Sequence, residues 1–298
     1  MDISLASAIA DPFSPVDWAL ARGRTLTLGP SGVLMAIINV TPDSFSDGGR
    51  NVHVDDAVAN ALQAIADGAA IIDIGGESTR PGAAEVSADE EQARVLPVIE
   101  ALRAKSDVVI SIDTYRASTA RLALAAGAHL VNDVHGLQRD ADIAGVVAET
   151  GAGVCIMHTG RGREKLPDVI EDQFAFLQGS LDLARKAGIR DAAIVLDPGF
   201  GFNKESLAEN AALAARFDEL HALGRPLLAG TSRKRFLGTI TGREAAERDV
   251  ATAATTALLR RAGAAIFRVH NVAINRDALL VADAILKSER DRAGRSEK

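Results

Sequence analysis

Short, nearly continuous apolar runs recur along the chain from residue 33, each closed by polar residues or glycine. Val33–Ile38 ends at Asn39, Ala70–Ile74 at Gly75 to Glu77, Val108–Ile112 at Asp113, and His129–Val131 at Asn132 and Asp133. Val154–Met157 ends at His158, Ala193–Leu196 at Asp197, Pro226–Ala229 at Gly230 to Ser232, and Ala265–Phe267 at Arg268 to His270. A strand covered by helices on both faces reads in this way. Most runs follow a helical stretch that stops at a glycine, the residue that takes the left-handed conformation without steric penalty. Eight strands alternating with helices predict an α/β fold, a (β/α)8 TIM barrel with a short N-terminal extension. A doubly wound open sheet is the competing arrangement, but no G-x-G-x-x-G follows the first strand. The expected division is an N-terminal extension over 1–32, the barrel over 33–288 and a frayed charged tail over 289–298.

The connecting segments carry helix signals. Ser87 and Glu90 have the spacing of a capping box. The stretch 168–187 places Ile170, Phe174, Leu177, Leu181 and Ala184 on one stripe, with Asp182 and Lys186 spaced for an ion pair. A further helix is expected over 244–262. Before the first barrel strand, Thr25–Leu28 alternates polar and apolar residues, which predicts a half-exposed strand in a hairpin plugging one end of the barrel.

Composition narrows the function. The chain has 298 residues, 47% apolar and 24% charged, with a net charge of −7 and a pI near 5.4. An acidic chain is a poor non-specific binder of phosphate backbones, so nucleic acid is not an expected partner. No apolar run approaches the roughly 18 residues of a membrane span, so no membrane partner is expected. The opening residues lack the basic start and apolar core of a signal peptide. The single cysteine, Cys155, lies in an apolar run and suits a buried thiol in a reducing, cytoplasmic setting.

Strand-end residues of a barrel share one mouth, whatever their separation in sequence. Here that set contains Asn39, Glu77 to Thr79, Asp113, Asn132, His158, Asp197, Ser232, Lys234, Arg268 and His270. The amides and carboxylates suit a flat heterocycle with ring N–H and amino groups. Lys234, Arg268 and His270 suit an anion such as phosphate. His158 is open between a ligand-facing and a supporting role. Asp73, inside a strand and expected to point away from the mouth, reads as structural, and so does Asp133. Two loops punctuated by Gly and Pro, 41–49 and 75–82, have the composition of lids over a reacting centre.

The segments N-V-T-P-D-S-F-S-D-G-G, D-I-G-G-E-S-T-R-P-G, S-I-D-T-Y-R, N-D-V, D-P-G-F-G-F, G-T-S-R-K-R and R-V-H resemble, in order, the signatures of the dihydropteroate synthase family. The resemblance spans residues 33 to about 286. It implies a barrel enzyme that condenses p-aminobenzoate with a dihydropterin methyl diphosphate, giving dihydropteroate and diphosphate in folate biosynthesis. By the same resemblance Asp113, Asn132, Asp197 and Lys234 hold the pterin ring, and Thr79 contacts substrate. Lys234, Thr79 and Asp113 are then the catalytic set. Asn39, Arg268 and His270 bind the diphosphate, with Asn39 also a Mg²⁺ ligand. Phe45, Arg80, Pro81 and Phe200 help form the aminobenzoate pocket, and the late helices pair two copies into a homodimer.

Two departures stand out: Asn271 follows the R-V-H histidine where many members have Asp, and the fifth loop reads M-H-T-G-R. The competing readings are the pterin-binding barrel of a methyltetrahydrofolate-dependent methyltransferase and a non-catalytic paralogue. The S-T-R-P-G and S-R-K segments favour the synthase over the first. Intact Asn39, Thr79, Lys234, Arg268 and His270 favour it over the second.

Overall fold

The computed structural model describes residues 11–41, 50–78, 84–204 and 206–296; Phe45, Thr79, Arg80 and Pro81 lie outside them. The chain opens with a hairpin in which β1 (Val16–Ala19) pairs antiparallel with β2 (Thr25–Leu28). Then follow β3 (Val33–Asn39), α1 (Arg50–Ala66), β4 (Ile71–Gly75), α2 (Ala88–Arg103), β5 (Val109–Asp113), α3 (Ala117–Ala126) and β6 (Leu130–Asp133). The second half runs α4 (Ile143–Thr150), β7 (Gly153–Met157), α5 (Val169–Ala187), β8 (Ile194–Asp197), α6 (Leu207–Ala215), β9 (Leu228–Ala229), α7 (Arg235–Thr241), α8 (Asp249–Arg261), β10 (Ile266–Val269) and α9 (Val272–Ser296).

The strands β3 to β10 form one parallel sheet in the order β8-β7-β6-β5-β4-β3-β10-β9. A parallel bridge between Leu196 and Leu227 joins its two ends. The sheet therefore closes into the expected eight-stranded barrel, which leaves no unpaired edge.

Closure sorts side chains by the two-residue period of a strand. Met35, Ile71, Val109, Leu130, Cys155 and Val195 face inward and form one apolar cluster, while their neighbours in sequence pack against the helices. The inner cluster also contains Trp18, Leu20 and Leu28 of the hairpin. Trp18 is 1% exposed, and its indole N–H donates to Ala193 O at 2.9 Å, where β8 begins. Ala21 N donates to His129 O at 3.0 Å, and Arg22 reaches Ala128 O at 2.7 Å. The hairpin is the expected plug, and it seals the end where the strands start.

Most local signals hold. Asp168 caps α5, accepting from the amides of Ile170 and Glu171 at 2.9 and 3.0 Å, and Gly188 ends the helix at φ +85°. Ser87 accepts from Glu90 N at 3.2 Å, but the Glu90 carboxylate goes to Arg94 one turn later, so only the serine half of the box forms. Asp182 pairs with Arg185 at 2.6 Å and not with Lys186. The expected frayed tail is helical through Ser296, as α9 simply continues. Its Arg290 reaches back to Asp11 at 2.8 Å, which gives that stretch something to hold.

If the hairpin is a structural plug, Trp18→Ala opens a large cavity at the barrel floor. A loss of about 3–5 kcal/mol is expected from urea unfolding. A loss below about 1 kcal/mol would show that the inner core does not depend on the hairpin.

Candidate active site

The polar strand ends meet at the C-terminal face of the barrel, opposite the plug. Backbone register sets them side by side: Asn39 is level with Gly75, Gly75 with Asp113, and Asp113 with Asn132. Across the barrel Asp197 is level with Met157. Asn132, Asp113 and Asp197 are all buried.

At the centre lies a cation shared by two carboxylates. Arg268 Nε donates to Asp73 Oδ2 and Arg268 Nη2 to Asp113 Oδ2, each at 2.6 Å. Asn132 Nδ2 donates to the same Asp73 oxygen at 3.1 Å. The expectation that Asp73 points away from the mouth is therefore wrong. Residues 71, 73 and 75 share one face of β4, and Ile71 already faces inward. The signal was parity: a strand whose mouth residue is Gly75 must turn Asp73 the same way.

Burial pushes the Asp113 carboxyl up to about 7; Arg268 opposes the shift, while Asp73 adds to it. Burial also pulls Arg268 down, but Asp73 and Asp113 outweigh it, and the guanidinium stays charged.

A second centre joins β8 and the turn after β9. Asp197 Oδ1 accepts from Gly199 N at 2.7 Å, and burial raises its carboxyl against the pull of Lys234. A Cβ placed on Gly230 would lie 3.6 Å from Asp197 Oδ2 and 3.9 Å from Lys234 Nζ, so the bare glycine leaves room for the two to face each other. Lys234 donates to Phe200 O, and its Nζ stands 4.6 Å from the centre of the Phe202 ring. Burial lowers Lys234 to about 8, against Asp197.

The Phe200 ring does not reach the mouth. It is fully buried among the helices, stacked with Phe217 at 6.4 Å and Phe236 at 6.2 Å. Phe202 stands at the mouth instead, with Lys234 and the Arg161 guanidinium, 4.8 Å from its centroid, as neighbours. Strand parity could not separate the two phenylalanines, because Gly199 (φ +63°) and Gly201 (φ +76°) reverse the chain around the first.

The structure settles His158. Its Nε2 meets Asp172 at 3.0 Å and its Nδ1 meets Lys204 Nζ at 2.9 Å, beneath the mouth. Lys204 also donates to Gly199 O at 2.9 Å, so the histidine braces the turn that presents Asp197 and Phe200 O. Burial lowers His158 to about 4 and Lys204 to about 7. Asp133 is structural as expected, accepting from the amides of His135 at 2.8 Å and Leu137 at 2.7 Å.

At the end of β10, His270 Nδ1 meets Ser232 Oγ at 2.9 Å. Asn271 Nδ2 donates to Asp249 Oδ2 at 3.0 Å, and Asp249 binds Arg233 at 2.7 Å. The Asn271 departure thus serves a tie between β10 and α8. Asn39 is half-buried where β3 ends. Among the described residues no group of three His, Cys, Asp or Glu could hold a metal. Thr79, Arg80, Pro81 and Phe45 lie outside the described residues.

Comparison with known proteins finds relatives along most of the chain. The profile of the pterin binding enzyme family matches residues 35–270. Dihydropteroate synthase of Bacillus subtilis (strain 168) is 45% identical over 240 residues, covering 80% of this chain and 84% of that protein. The Xanthomonas albilineans dihydropteroate synthase with 4-aminobenzoic acid superposes with a TM-score of 0.85 at 42% identity, covering 91% of this chain and 99% of that one. The same enzyme in complex with 7,8-dihydropteroate gives 0.82 at 40% identity, covering 90% and 98%.

Two carboxylates on one guanidinium leave an excess buried negative charge. The Asp113 carboxyl titrates near 7 when folded and near 4 when unfolded. Between those values the folded chain holds a proton that the unfolded chain has lost. This contribution to stability therefore falls as pH rises from about 4 to about 7. Asp113→Asn should then stabilise the free protein at pH 8 by about 1 kcal/mol or more, and the gain should vanish toward pH 4. Urea unfolding at several pH values measures it; destabilisation at every pH would refute the argument.

Proposed function

The chain belongs to the pterin binding enzymes, among the dihydropteroate synthases, and we infer from that premise that its mouth joins p-aminobenzoate to a dihydropterin methyl diphosphate. The products are 7,8-dihydropteroate and diphosphate. The observation that carries this reading is the pairing of two unlike centres in one mouth. Buried carboxylates and an amide suit the N–H groups of a pterin ring, and cations beside them suit its diphosphate.

In this reading Asp113, Asn132, Asp197 and Lys234 hold the ring. Phe202 offers an aromatic face beside it, with Arg161 and Lys234 fixing that ring's position. Asn39, Arg268 and His270 take the diphosphate, and Thr79, Arg80, Pro81 and Phe45 approach from the two loops. The methylene C–O bond breaks with its electron pair going to the diphosphate oxygen. The aniline nitrogen forms the new C–N bond and gives up a proton to the departing diphosphate or to water. Cations around the leaving group stabilise negative charge as it develops. A neutral aniline is already nucleophilic, so the residues here orient it and exclude water rather than activate it.

Mg²⁺ belongs to the same proposal. The Asn39 amide oxygen fits as one hard ligand, and diphosphate oxygens and water would complete the set, as is usual for this ion on phosphate substrates. Bound there, it would neutralise charge on the departing diphosphate.

We propose a homodimer and a cytoplasmic setting as well. The dimer is supported by exposed apolar residues on the two late helices, Val250 (71%) and Leu258 (67%) on α8 and Leu280 and Val281 (both 61%) on α9. The setting is supported by the buried lone thiol of Cys155.

The direct test supplies purified protein with the dihydropterin methyl diphosphate, Mg²⁺ and p-aminobenzoate. Dihydropteroate is expected only when all three are present, with kcat/KM falling about 100-fold or more in Lys234→Ala. Tight pterin binding without product would leave a binding protein instead. For the assembly, Leu258→Glu should turn a dimer into a monomer by sedimentation without disturbing pterin affinity; a monomeric wild type would end that part of the proposal.

A further inference from the structure

Resting on the function proposed above, we propose that Asp73 is a positioning residue. It is the pivot on which Arg268 exchanges Asp113 for the substrate's diphosphate. Asp73 is wholly buried, one inward step below the level of Gly75 and Asp113. In the free protein the two carboxylates occupy Nε and Nη2, one edge of the Arg268 guanidinium. Its Nη2 is held by Asp113 Oδ2 at 2.6 Å. In the function proposed above, the pterin ring donates to this same carboxylate. Ring binding therefore competes with the Arg268–Asp113 pair and releases one arm of the guanidinium.

The other arm stays. Arg268 Nε and Asp73 Oδ2 are 2.6 Å apart. Asp73 has no route to water, and among the described residues its other oxygen and the neighbouring Ser111 Oγ receive no hydrogen bond. Arg268 is its sole ion-pair partner among those residues. A buried carboxylate that lost this cation would carry an uncompensated charge. The pair with Asp73 is therefore the harder of the two to break. A guanidinium suits the task because it carries five N–H donors, so Nε can remain on Asp73 while an Nη N–H freed from Asp113 takes a phosphate oxygen. Asn132, bonded to the same Asp73 oxygen, links the pivot to the ring site.

The experiment compares two ligands, 6-hydroxymethyl-7,8-dihydropterin and its diphosphate ester with Mg²⁺, by calorimetry on wild type and Asp73→Asn. The asparagine keeps the shape and an acceptor but not the charge that holds Arg268. The advantage of the ester over the alcohol should shrink about tenfold or more in the variant, with a smaller change for the alcohol. Equal losses for both ligands, or no loss, would overturn the pivot while leaving the synthase reading intact. A wild type that binds neither ligand would overturn both. Should Asp73→Asn not fold, a structure of the wild type with the ester decides. Arg268 Nε on Asp73 with Nη2 off Asp113 supports the pivot, and Nη2 still on Asp113 overturns it.

Discussion

Arg268 holds together a group of charges that could not otherwise be buried. Asp73 and Asp113 sit on adjacent strands of a closed barrel, and each reaches the same guanidinium at 2.6 Å. Removing a charge from water is expensive unless it is paired and hydrogen-bonded. Burial also strengthens whatever attraction remains, because the local dielectric is low. The plug makes that burial possible. With Trp18, Leu20 and Leu28 filling the floor, the layer above is closed to water from below. The polar layer then has one exit, the mouth, where a ligand can take over the bonds.

Much of this was legible in the sequence because the rules involved are local. Apolar runs gave the strands, glycines their helix stops, and alternation in Thr25–Leu28 the plug. The strand-end residues Asp113, Asn132, Asp197, Arg268 and His270 follow from any eight-stranded barrel. What escaped depended on geometry between segments. Asp73 needed strand parity, which was readable but misapplied. Phe202 needed the path of a turn with two positive-φ glycines, which a period of two does not describe. His158 needed Asp172 and Lys204, 14 and 46 residues away, to show itself as a brace.

That brace bears on the chemistry. Gly199 O accepts from Lys204 and Phe200 O from Lys234, so consecutive carbonyls of one turn are held by two lysines. Gly199 itself admits no side chain, since a Cβ would fall 2.0 Å from His158 O. The turn is fixed before any substrate arrives, and Asp197 and Lys234 are fixed with it. Preorganised groups lose little when charge develops, which is how such sites lower a barrier. A reaction that runs on orientation and charge, as proposed here, needs this kind of rigidity.

The shifted groups point the same way. Burial moves Asp113 up to about 7 and Lys234 down to about 8, each toward its neutral form. The free site therefore holds both charges at a disadvantage near neutral pH. A ring that donates N–H bonds favours the carboxylate, and a ring atom that accepts from Lys234 favours the ammonium. One ring that presents both donors and acceptors favours both charged forms at once. A ligand with only one of these features restores one and leaves the other strained. The shifted groups thus favour a ring with both kinds of edge, such as a pterin. The same discomfort weakens the unliganded fold, as expected where a site is tuned for its substrate rather than for stability.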